Sequence, residues 1–191
     1  GSTVNHFWPG LDFWVWLGPV REFAARPLHP HHPLLAVDAA DSYMGPYGFV
    51  LGMVSRVTGV DAFDVMAAAG FVNLCVVLAG IWQLARCLSH RAWTPLLTLG
   101  FTLLAWGWSP WRWSGYLNLN SLGSVLPLGS TFSVGAALFF LASWWRWLTV
   151  RSRRQLAAAA AWLVATVLTH QMTGLWAMLV ALGFLAAQAP T

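Results

Sequence analysis

Charged residues punctuate this chain so sparsely that the gaps between them outline its elements. Residues 65–85 form an uncharged run of 21 between Asp64 and Arg86, the length of one transmembrane helix. Residues 92–111 form a second run that contains Trp93 and Trp108 near its ends, and indoles concentrate at membrane interfaces. A third run, 113–145, is rich in Gly, Asn and Ser at first and becomes apolar from Thr131 onward. The fourth, 155–191, carries no formal charge over 37 residues, and a polar patch at 169–174 divides it in two. This pattern predicts transmembrane helices over about 63–88, 93–108, 130–149, 155–169 and 172–188.

Residues 1–62 follow a different pattern and are expected not to cross. Between Leu11 and Ala25, Phe13, Trp14, Trp16 and Phe23 mix with Asp12, Arg21 and Glu22, interrupted by Gly18-Pro19. That mixture predicts a short interfacial helix whose aromatic side chains dip into lipid while Arg stays wet. Pro27, Pro30 and Pro33 enforce an irregular loop, and residues 46–57 read as a second juxtamembrane helix. Asp61, three residues ahead of Asp64, is a helix start: an N-cap followed by an acid at N3. The expected organisation is thus an extracytoplasmic segment, 1–62, followed by a membrane region, 63–191. The expected fold class is all-α, a polytopic transmembrane helix bundle with extracytoplasmic juxtamembrane helices.

Arginine orients the bundle. Arg86 and Arg91 flank one loop, and Arg146, Arg151, Arg153 and Arg154 flank another, so both loops read as cytoplasmic by the positive-inside rule. Alternation then puts 1–62, the 109–129 loop and the 169–174 patch outside. Composition agrees: 58% of residues are apolar, 8% are charged and fourteen are Trp, against about 25% charged in a soluble domain. All ten basic residues are Arg, and the formal net charge of +4 is too small and too dispersed to suggest nucleic-acid binding. It suits loops facing anionic lipid. Cys75 and Cys87 lie twelve residues apart, roughly 18 Å along a helix, too far for a disulfide. The chain starts Gly1-Ser2 without the regions of a signal peptide, as expected either of appended residues or of a piece of a longer protein.

All six acids fall within the first 64 residues, on the predicted outer side, so a site built from carboxylates belongs there. Asp12, placed among aromatics beside a membrane surface, would have the raised proton affinity of a general base, or would serve as a helix cap. Asp38 and Asp41, spaced i, i+3, could place a base beside a divalent metal; no cofactor beyond that ion is indicated, and Asp38 could equally cap a turn. The run His29-Pro30-His31-His32 is better suited to touching substrate or lipid headgroups than to zinc, because adjacent His31 and His32 point apart in an extended chain. Arg112 between Trp111 and Trp113 could pair a phosphate while the indoles stack a sugar, or could snorkel within an aromatic belt. His170, an ionisable group among apolar helices, is either functional or a hydrogen-bonded structural residue.

Three stretches carry a resemblance: Asp12-Phe13-Trp14 with Arg21-Glu22-Phe23-Ala24, then Gly45-Pro46-Tyr47-Gly48-Phe49-Val50-Leu51-Gly52, then Leu168-Thr169-His170-Gln171-Met172-Thr173-Gly174-Leu175. Across residues 10–90 and 160–180 the chain resembles the GT-C superfamily of multi-span glycosyltransferases that use lipid-linked sugars. The resemblance implies a cell-envelope transferase of the bacterial inner or plasma membrane, with a polyprenyl-phosphate sugar donor and an outer-loop Asp as base or metal support. Asp12 matches that role best, with Asp38 and Asp41 behind it. The superfamily's first span, later helices and C-terminal soluble domain are not represented. The chain is therefore expected to be a segment of a larger enzyme, completed by other segments or chains, or a degenerate relative. Two other expectations stand beside it: a non-catalytic subunit scaffolding a membrane complex, and a transporter fragment with a site at His170.

Overall fold

The computed structural model describes residues 11–33, 35, 43–104, 117 and 121–188, and its regular structure there is entirely helical. Eight helices follow in order: α1 (Leu11–Ala25), α2 (Pro46–Thr58), α3 (Ala62–Leu88), α4 (Thr94–Leu104), α5 (Leu122–Val125), α6 (Gly129–Val150), α7 (Arg153–Thr169) and α8 (Gln171–Ala187).

Helix α1 runs unbroken through Gly18-Pro19, contrary to the expected interruption. An internal proline forfeits a backbone hydrogen bond, typically at about 3 kcal/mol. Here Leu17, Pro19 and Val20 are fully buried, and that packing outweighs the loss. The aromatic face also turns inward. Phe13, Trp16 and Phe23 are buried within the protein, while Trp14 is half exposed. Trp16 meets Tyr43 and Tyr47 edge-on, and Phe13 meets Phe63 in the same way.

Helices α1 and α2 run parallel, a pairing the connecting Pro-rich segment makes feasible. Trp16 lies beside Tyr47 near their starts, and Arg56 Nη1 donates to the carbonyls of Ala24 and Ala25 near their ends, at 2.9 and 3.1 Å. Those carbonyls belong to the last turn of α1, which lacks helical donors of its own. Midway, Gly52 lets the backbones close: a Cβ there would stand 2.6 Å from Phe23 Cβ and 2.8 Å from the Val20 carbonyl.

Gly59, at φ 71°, ends α2, and Asp61 then starts α3 by accepting the Phe63 N–H at 2.8 Å. Among the described residues α3 is the one helix long and apolar enough to cross a membrane, by length and composition. It packs parallel to α6. Asn73 reaches the turn before α6, Gly80 approaches Gly135, and Gln83 accepts from Arg146 Nη1 at 2.8 Å. Helices α6, α7 and α8 then pack up-down-up. Ser133 Oγ donates to the Thr166 carbonyl at 3.0 Å, and Trp144 Nε1 donates to that of Ala181 at 3.0 Å. Two cores result. Phe13, Trp16, Leu17, Val20, Val65 and Met66 fill the first, under α1; Phe140, Leu141, Ala159, Ala177 and Ala181 fill the second, inside the α6–α8 trio.

The outside of this bundle is strongly apolar. Phe71, Phe101 and Trp176 are 65–70% exposed, and most large side chains of α4 and α8 face outward. A surface of this kind exceeds the isolated apolar patches of soluble monomers.

Candidate functional site

The feature that joins α2, α3 and the turn into α6 is a polar knot buried among hydrocarbon. Asn73 lies in the middle of α3 and is 1% exposed. Its Nδ2 donates to the carbonyls of Leu126 at 2.8 Å and Leu128 at 3.2 Å, and faces Tyr47 Oη at 2.8 Å. An amide nitrogen has two hydrogens for these three acceptors, so two of the acceptors share one. Tyr47 passes its own proton toward the Pro127 carbonyl, at 3.5 Å. The knot thus joins α2, α3 and the turn entering α6. Burial pushes the Tyr47 phenol up to about 12, with the Asn73 hydrogen bond opposing in part, so the hydroxyl stays protonated as a donor.

Beside the knot, α2 and α3 diverge from Gly59 and leave a crevice of about 640 Å³. Val50, Val54, Val65, Ala68, Val72 and Phe132 supply much of its wall, and Leu168 and Thr169 close one side. This volume falls within the roughly 300–1,000 Å³ of small-molecule sites. Its polar groups are mostly engaged: Asn73 in the knot, and Thr58 Oγ1 with the Val54 carbonyl at 2.7 Å. Asp64, in the first turn of α3, is the carboxylate on its rim and is exposed. A second, smaller crevice of about 240 Å³ lies between α3, α4 and α6, lined by Val77, Ile81, Thr98 and Leu138.

No family model, curated protein or solved structure matches the chain.

The residues singled out from sequence are dispersed. Asp12 occupies the first turn of α1, exposed, with no hydrogen bond or ion pair among the described residues. His31 is exposed, and its backbone N–H donates to Glu22 Oε2 at 3.2 Å; His32 Nδ1 accepts the Leu35 N–H at 3.0 Å. His170 stands in the turn between α7 and α8 as the N-cap of α8. Its Nδ1 lies 2.8 Å from Thr173 Oγ1 and accepts the Thr173 N–H at 3.3 Å. Partial burial lowers the His170 pKa below its ordinary value, which keeps Nδ1 available as that acceptor. None of Asp12, His31, His32 and His170 lines either crevice. Asp38, Asp41, Trp111, Arg112 and Trp113 lie outside the described residues. Among the described residues, no three His, Cys, Asp or Glu side chains group where a metal ion would sit.

The sequence reading passed over Tyr47, Asn73 and Asp64 as site residues. Asn73 had a signal. It is an amide in the middle of an uncharged apolar run, where an unpartnered polar group is costly and so implies a designated partner.

Proposed function

We propose that this chain is part or all of a polytopic membrane glycosyltransferase of the GT-C kind, acting at the extracytoplasmic face of a bacterial inner or plasma membrane. In this reading the crevice between α2 and α3 receives the hydrocarbon tail of the polyprenyl-phosphate donor. That crevice is the observation that carries the proposal. Its walls are hydrocarbon, and the polar groups of Tyr47, Thr58 and Asn73 along it are satisfied from within, so an aliphatic or isoprenoid chain complements those walls. The apolar exterior of α4 and α8 supports lipid as the surrounding solvent. So does the placement of every acid ahead of residue 65.

The chemistry requires a base at the acceptor oxygen and a cation at the leaving phosphate. Asp12 fills the first role by resemblance, and Asp64 by its position on the crevice rim. Arg112 would hold the phosphate, with Trp111 and Trp113 seating the sugar. The test is sugar transfer from a polyprenyl-phosphate donor in membranes bearing Asp12→Asn or Asp64→Asn. Loss of transfer, by roughly 100-fold or more, in one variant that still folds identifies the base. Full activity in both rejects the catalytic reading.

A non-catalytic helical subunit is the second reading, and one observation favours it. The described candidates Asp12, His31, His32 and His170 do not converge on the crevice. A scaffold would keep the lipid-filled crevice without any transfer.

A further inference from the structure

Charge is segregated along the bundle more sharply than the sequence order alone conveys. Both ion pairs between described residues, Arg21 with Asp61 and Arg26 with Glu22, involve α1 and the start of α3. At the opposite end, the parallel packing of α3 and α6 brings two loops to the same level. Cys87 Sγ lies 3.9 Å from the Ala142 carbonyl, and Arg146 Nη1 lies 2.8 Å from Gln83 Oε1. That end collects Arg86, Arg91, Arg146, Arg151, Arg153 and Arg154, and no carboxylate among the described residues pairs with any of them. Arg86 and Arg146 spend hydrogen bonds on neutral oxygens, those of His90 and Gln83, which leaves their charges uncompensated.

The surroundings say which anions would balance this field. The Trp144 and Trp147 rings lie 4.7 Å apart, tilted by 36°, and the Arg151 guanidinium lies 5.0 Å over the Trp147 ring. Indoles with a stacked guanidinium at a helix end form the arrangement that sits at headgroup depth, the ring toward hydrocarbon and the cation toward phosphate. Arg153 and Arg154 also occupy the first turn of α7, where the helix dipole adds to their positive field instead of offsetting it. A planar guanidinium prefers phosphate oxygens as its partner. We infer that this Arg-and-Trp end is a binding surface for anionic phospholipid headgroups, which supply the counter-charge that the described residues do not. The inference rests on the membrane-embedded reading given above.

The experiment uses the full chain, reconstituted into nanodiscs of zwitterionic lipid containing a minor share of phosphatidylglycerol. Lipid retained after detergent extraction is then measured by mass spectrometry. Wild type should retain phosphatidylglycerol in excess of its bulk share. The combined change Arg151→Gln, Arg153→Gln and Arg154→Gln should lower that retention roughly tenfold or more. The corresponding Lys variants, which keep the charge, should retain most of it and control for folding. Equal retention by wild type and the Gln variant overturns the inference. So does displacement of the lipid by millimolar inorganic phosphate, which would mark the surface as a site for free phosphate. Failure of the chain to enter nanodiscs at all would instead refute the membrane reading on which it rests.

Discussion

Tyr47 Oη and Asn73 Nδ2 meet at 2.8 Å, joining α2 to α3 at the point where both reach the turn into α6. The bond closes the crevice at the end remote from Gly59, where the chain itself joins the two helices. Polar groups paired within apolar surroundings specify one arrangement of helices, because every alternative leaves them unpaired.

Removing the amide should therefore cost more than removing the phenol. Asn73→Ala strands the Leu126 carbonyl, while that of Leu128 keeps the Thr131 and Phe132 N–H donors, and the loss of the buried amide is expected to destabilise the fold by about 2–3 kcal/mol. Tyr47→Phe keeps those bonds and should cost about 0.5–1.5 kcal/mol. Equilibrium unfolding in mild detergent checks both values. The double variant should show coupling, with a combined cost different from the sum of the two by more than about 0.5 kcal/mol.

Two glycine-to-alanine changes should have opposite effects. A Cβ at Gly52 collides with Phe23 Cβ and with the α1 backbone, so Gly52→Ala is expected to cost about 1–3 kcal/mol through forced separation of the helices. A Cβ at Gly183 in α8 meets nothing within 4 Å, so Gly183→Ala should stabilise by up to about 1 kcal/mol, as alanine does in a helix interior. Thermal unfolding of the two single variants separates these outcomes.

Acid should weaken the turn between α7 and α8. The His170 pKa is lowered in the folded protein, so on acidification the unfolded chain takes up its proton first. Stability is then fully present above the ordinary histidine value of about 6.5 and declines as pH falls below it. The protonated ring also loses the Nδ1 acceptor that caps the Thr173 N–H. Unfolding free energies measured between roughly pH 7.5 and pH 5 should fall for wild type. They should fall less for His170→Asn, whose amide caps without titrating in that range.

Much of the helical layout was legible because charge is rare here. The gaps between charges outlined the segments that α3, α6, α7 and α8 occupy, and Asp61 announced the start of α3 through its own capping bond. What escaped was tertiary. The unbroken course of α1 past Pro19 depends on burial against residues distant in sequence. The parallel pairing of α1 with α2 depends on Gly52 and Arg56 finding α1 across a long connection. Asn73 escaped because runs were delimited by charge, and an amide carries none. Asp64 was read solely as part of a helix start, since its place on a crevice rim exists only once α2 folds back beside α3.

In the proposed function the α2–α3 crevice holds the hydrocarbon of a polyprenyl-phosphate sugar donor. The most direct measurement is photo-crosslinking with a polyprenyl phosphate that carries a diazirine in its isoprenoid chain, followed by peptide mapping. Label concentrated on α2 and on residues 64–73 of α3, and competed away by unlabelled donor lipid, is the predicted result. Label spread evenly over the exposed faces of α4 and α8, or unaffected by competitor, would contradict it.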